Sequence, residues 1–165
     1  MTPEQEQLLD RIGSLLLVRQ YNRRFLPEPS GAAELSPTEF VVACLYAFHR
    51  QVFINGFDGF VANTDDAFAD YLPVALAAIG AHRHSLLARF AWEDRAETHG
   101  RFDGRFFELI REEPYDELLI AYVERNRGQL PDPALATPAF FAGWEADKQR
   151  WWAEKHRAAE RRPSP

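Results

Sequence analysis

An apolar helical pattern running through Phe40, Val41, Cys44, Leu45, Phe48 and Val52 stops at Asn55-Gly56, and this interruption constrains the fold more than any other feature of the chain. A helix apolar on several sides belongs in the middle of a core, so the segment from Pro37 to about Ile54 is expected to be central. Its start is marked by Ser36 as N-cap, Pro37 at the first helical position and Glu39 near the capping-box place. Gly56 supplies the positive φ that ends a helix tightly. Phe57 and Phe60 are then expected to turn back into the core through a short helical fragment over 57–62. Asn63 or Asp65 is expected to cap the helix that follows.

The remaining pattern is helical throughout. Residues 4–22 place Leu8, Ile12, Leu15 and Leu16 at helical spacing, with Gly13 a weak point. A Pro-rich loop spans 27–37. An Ala-rich helix runs to Ile79, kinked or restarted at Pro73 and stopped by Gly80. The next helix, 82–92, is expected to face inward through Leu86, Leu87 and Phe90. Helices over 105–112 and 114–126 meet at Pro114, with Phe106, Phe107, Ile110, Leu118, Leu119, Tyr122 and Val123 inward. A last helix, 139–161, carries Phe140, Phe141, Trp144, Trp151 and Trp152. No run of β-branched residues alternates in strand fashion. The expectation is one all-α globular domain of six to eight helices over residues 1–162. The helices at 4–22 and 139–161 pack on a core formed by about 40–126.

A chain of 165 residues with 46 % hydrophobic and 13 % aromatic content is large enough for one cored domain. The start, MTPEQEQLLDRIG, lacks the basic residues and apolar stretch of a signal peptide. No apolar run approaches the ~20 residues of a membrane span. The single cysteine, Cys44, cannot form an internal disulfide, which suits a reducing cytoplasm. A cytoplasmic protein with no membrane association is expected.

Catalytic patterns are missing from the sequence. His82 and His84, two apart, point to different sides of a helix and would not share a metal. No His-Glu-x-x-His, P-loop, Gly-x-Ser-x-Gly or dinucleotide turn is present. Cys44 reads as a small core hydrophobe, and His49 lies five residues on, a poor position for a base. Neighbouring acids such as Glu112 with Glu113 diverge on a helix and read as dipole partners or solvated charge. The expectation is no enzyme, no cofactor and no metal.

Charge is distributed unevenly. Residues 148–165 hold six bases and two acids, so the rest of the chain carries −10 of a total of −6. An acidic body repels phosphates, which argues against direct nucleic-acid binding. The bases of the last helix are expected to pair with that body while its tryptophans close the core. Plain solubility is the simplest account of the acidity. The acids open to a binding role are Asp58, Asp65, Asp66, Asp70, Glu93, Asp94 and Glu97.

Three stretches carry a family resemblance: Phe53-Ile54-Asn55-Gly56-Phe57-Asp58-Gly59-Phe60 with Asn63, then Ala75–Ala81 through Gly80, then Leu118–Asn126. Over about Phe40–Asn126 the chain resembles a bacterial domain-of-unknown-function family that includes a DNA-mimic protein. The family's double glycine stands here as Asn55-Gly56-Phe57, with the second glycine displaced to Gly59. The resemblance implies an all-α fold, cytoplasmic location, no cofactor and frequent homodimer formation. It also implies a protein partner, with a DNA-binding regulator as the specific candidate. Two other readings stay open: a small-molecule-binding protein or enzyme with a cleft beside Asn55–Asn63, and an adaptor or immunity-type protein whose specificity lies in the last helix.

Overall fold

The computed structural model describes residues 1–25, 35–64, 67–94 and 102–160. Among them are seven α-helices and no strand: α1 (Pro3–Phe25), α2 (Pro37–Asn63), α3 (Ala67–Ala78), α4 (His82–Glu93), α5 (Asp103–Glu112), α6 (Tyr115–Arg125) and α7 (Pro138–Glu160). Two 3₁₀ turns, Arg127–Gln129 and Pro133–Leu135, connect α6 to α7. The chain is a single all-α domain.

The centre of the molecule is α2, from which Val42, Leu45, Phe48, Val52, Phe57 and Phe60 enter one hydrophobic core. Its start carries the full capping box: Glu39 N donates to Ser36 Oγ (3.2 Å), and Ser36 N donates to a Glu39 carboxylate oxygen (2.9 Å). Among the described residues α2 is the one helix long and apolar enough to cross a bilayer by length and composition, although no such run was expected. Half of that apolar stretch is buried in the protein, with α1, α3, α5 and α6 packed around it, while Phe53 and Ile54 are exposed. Gly56 interrupts it, with φ 72° and ψ 172°, so α2 is two helical arms meeting at a kink.

The contact of α1 with α2 depends on Gly13. A Cβ at that position would lie 2.2 Å from the Tyr46 ring, so only glycine lets the ring lie flat against α1. The expected weak point is where the Tyr46 ring packs on α1. Tyr46 Oη then donates to Asp10 Oδ1 (2.6 Å) and accepts from Arg50 Nη1 (3.1 Å), with Ser14 Oγ at 3.0 Å.

Helix α3 continues through Pro73, with neither a restart nor non-helical backbone there. It ends in a Schellman motif: Gly80 has φ 92°, Ala81 N donates to Leu76 O (2.9 Å) and Gly80 N to Ala77 O (3.0 Å). The chain returns antiparallel as α4, and Ser85 Oγ donates back to Pro73 O (2.7 Å).

Two expected faces are corrected. The buried stripe of α4 is His84, Leu87, Ala88 and Ala91, while Leu86 and Phe90 are more than half exposed. On α5 and α6 the core takes Phe106, Leu109, Tyr115, Leu119, Ile120 and Val123, whereas Phe107 is 45 % exposed. On α4 the buried His84 finds its partner in Glu113, and on α5 Phe107 lies one position off the face that buries Phe106 and Leu109.

Candidate protein-interaction surface

Beneath the surface, several carboxylates that read as free charge in the sequence are bound into the fold. The second arm of α2 begins with exposed backbone N–H groups at Phe57 and Asp58, the partly positive end of a helix. Asp103 Oδ1, from the first turn of α5, accepts from both (2.6 and 3.0 Å). In return Asp58 Oδ2 accepts from Phe102 N and Asp103 N (both 3.1 Å), the start of α5. Each helix thus caps the other. Asp58 is 7 % exposed, so it is withdrawn from the acidic surface on which it was expected.

A third cap closes α4. Glu113, just after α5, accepts from Arg83 N (3.1 Å) and His84 N (2.9 Å), and its Oε2 lies 2.8 Å from His84 Nδ1. Burial alone would push the Glu113 carboxyl up, but the backbone N–H groups of His84 and Arg83 and the His84 ring hold it below the ordinary carboxylate range. Burial lowers the His84 pKa against the opposing pull of Glu113. The neutral ring, wedged against Phe106 and Tyr115, therefore presents its Nδ1 proton to Glu113. Its Nε2 is buried without a hydrogen-bond partner among the described residues.

The other expected acids divide in two. Asp70 lies on α3 and is exposed, and Glu93 and Asp94 are exposed at the end of α4. The hairpin brings Asp70 and Glu93 to one cleft of about 310 Å³, whose wall includes Arg89 and Trp92. Asp65, Asp66 and Glu97 lie outside the described residues. Asp70 is accounted for by the positive end of α3. Glu93 and Asp94 stand at the negative end of α4, where helix stability does not favour acids.

Asn63 Nδ2 donates back to Gly59 O (2.8 Å) and Thr64 Oγ1 donates to Phe60 O, closing α2, while Asp65 and Asp66, which lead into α3, lie outside the described residues. Asn55 Nδ2 donates to Gln51 Oε1 (2.9 Å) on the same arm. Among the described residues the inner side of this stretch is packed with aromatic rings. Phe57 stacks on Phe106 at 4.9 Å, and Phe48 makes edge contacts with Phe57, Phe60 and Phe106. On the other side of α2, His49 and Phe53 line a cleft of about 300 Å³ together with Glu6, Asp10 and Arg50. Cys44 is buried, and its thiol is pushed up to about 12 by desolvation, so it is no nucleophile at neutral pH.

Helix α7 also departs from expectation. None of its described side chains is fully buried; Phe140 is 39 % exposed and Trp144 is half-buried. Lys148 sits over the Trp144 ring (4.7 Å) and pairs with Glu145 of its own helix, not with the acidic body. The side chains of Trp151 and Trp152 lie outside the described set.

A family model described as DMP19-like protein matches residues 33–126, more than half of the chain. The chain belongs to the DMP19-like protein family. The matched segment ends at the close of α6, so the family's portion is α2 to α6, while α1 and α7 lie outside it. No curated protein and no solved structure matches the chain. A family that includes a DNA mimic is consistent with a protein-interaction role.

Three residues were not singled out in the sequence as parts of this framework: Asp103, Glu113 and His84. A signal existed for Asp103, since Phe102-Asp103-Gly104 directly precedes an apolar helical pattern in the manner of a helix start. For Glu113 and His84 the partners are 29 residues apart, and nothing local announces the pairing.

Proposed function

We propose that the protein is a non-enzymatic, cytoplasmic interaction protein whose acidic helical body engages the basic surface of a DNA-binding regulator in place of DNA. The observation that carries this reading is the family match over α2–α6. The charge of −10 on residues 1–147 supports it, because a basic partner is steered and oriented by an acidic surface. Within that body Asp70, Glu93 and Asp94 are the described acids we assign to the contact, and Asp65, Asp66 and Glu97 join them by sequence adjacency. Asp58 is excluded by its burial. A homodimer would double this surface.

The test is affinity capture of bound protein at low and high salt, repeated with an Asp70→Asn, Glu93→Gln, Asp94→Asn variant. A basic DNA-binding protein captured at low salt, released in strong salt and competed away by duplex DNA is the expected result. A partner retained unchanged in strong salt, or bound equally by the neutralised variant, would contradict an electrostatic acidic contact. Sedimentation equilibrium reports the subunit number on the same samples.

A further inference from the structure

A groove of about 510 Å³ opens between α1, α2, α3 and α7, away from the acids just described. Its apolar walls are Leu17 and Val18 of α1, Ala47 of α2, Phe68 of α3, and Phe141 and Trp144 of α7. This volume lies in the range of pockets that hold small organic molecules. Ser14, Gln20 and Tyr46 add neutral polar groups, and among the described residues Arg50 is the one ionised side chain in the wall. Arg50 and Tyr46 also line an adjoining cleft of about 300 Å³ whose wall includes Glu6, Asp10 and His49, so the guanidinium stands where the apolar chamber meets a polar cleft and is the cation facing the chamber.

The guanidinium is held but not used up. Among the described residues its polar contacts run through Nη1, to Tyr46 Oη at 3.1 Å and towards Asp10 Oδ1 at 3.8 Å. The donors on Nη2 and Nε are left for a ligand, in the fork geometry that suits a carboxylate. Tyr46, fixed against Gly13, keeps the stem of this arrangement in place.

We propose that this groove binds a small apolar molecule with one anionic head group, its body between Phe68, Phe141 and Trp144 and its head on Arg50. The walls from α1 and α7 lie outside the segment matched by the family model, while Tyr46, Ala47, Arg50 and Phe68 lie inside it. The proposal is independent of the partner reading, since none of its residues is among the acids assigned there.

The probe is 8-anilinonaphthalene-1-sulfonate, an aromatic anion, titrated into the full chain and displaced by decanoate or by uncharged decanol. Saturable binding of one dye per chain, with energy transfer from tryptophan, is expected, and decanoate should displace it about ten-fold better than decanol. Arg50→Gln should remove that ten-fold preference and leave decanol unchanged. Ala47→Phe, which fills the chamber, should abolish binding of all three. Non-saturable dye binding, or an Arg50→Gln chain that keeps the preference for decanoate, would overturn the proposal. Should Ala47→Phe fail to fold by near-ultraviolet circular dichroism, the exposed Arg50→Gln variant decides alone.

Discussion

At Gly56 a single backbone conformation joins the family motif to the rest of the fold. The pair φ 72°, ψ 172° lies in a region that is essentially restricted to glycine, and a Cβ there would meet the Asp103 carboxylate at 2.8 Å. Gly56→Ala therefore strains the backbone and displaces a cap together, and is expected to cost about 2–4 kcal/mol in urea unfolding. Gly80→Ala, with φ 92° but open space around it, is expected to cost about 1 kcal/mol. Asp58→Ala and Asp103→Ala should each cost about 1–2 kcal/mol, and the double variant should fall short of their sum because both act on one capping unit. Equal losses for Gly56→Ala and Gly80→Ala would remove the carboxylate from this account. The turn at Asn55-Gly56 was legible because glycine's backbone freedom is a property of one residue. The cap from Asp103 was not, since it crosses 46 positions of chain.

Among the elements, α4 shows what helical periodicity can and cannot deliver. Its existence follows from the spacing of apolar residues and the stop at Gly80, yet the buried face carries His84 in place of Leu86 and Phe90. Periodicity ranks faces by hydrophobicity, and it cannot know that Glu113 waits inside to receive an imidazole N–H. Burial of the same histidine makes stability depend on pH. His84 and His49 both have folded-state pKa values lowered by burial from 6.5, while the unfolded chain keeps the ordinary value. Asp116 and Glu6 oppose the shift at His49, and Glu113 and Asp116 oppose it at His84, where Arg83 adds to it. As pH falls below 6.5 the unfolded state binds protons that the folded state refuses, so stability declines. Glu113, lowered from 4.5, adds a second decline at more acid pH, when its cap on α4 is protonated. The melting temperature should be level from pH 8 to 7 and fall between pH 6.5 and 5. His84→Gln should lower stability at pH 7.5 and flatten that fall. An unaltered pH profile in this variant would clear His84 of the effect.

For the whole molecule the decisive question is what α7 contributes. The sequence placed its aromatics in the core because tryptophan usually goes there, but the core around α2 is already filled by Phe48, Phe57, Phe60, Phe106 and Tyr115. The described side chains of α7 form the outer wall of the groove, through Phe141 and Trp144, and Lys148 pairs with Glu145 within the helix. Removal of residues 148–165 should therefore leave cooperative unfolding intact, shifting the urea midpoint only slightly. The same removal changes the net charge from −6 to −10. If the partner is basic and engages α3 and α4, the shortened chain should bind it more tightly at low salt and lose affinity more steeply as salt rises, since screening acts on a larger charge product. Loss of binding with the fold preserved would instead move recognition to α7, the element beyond the family's matched portion.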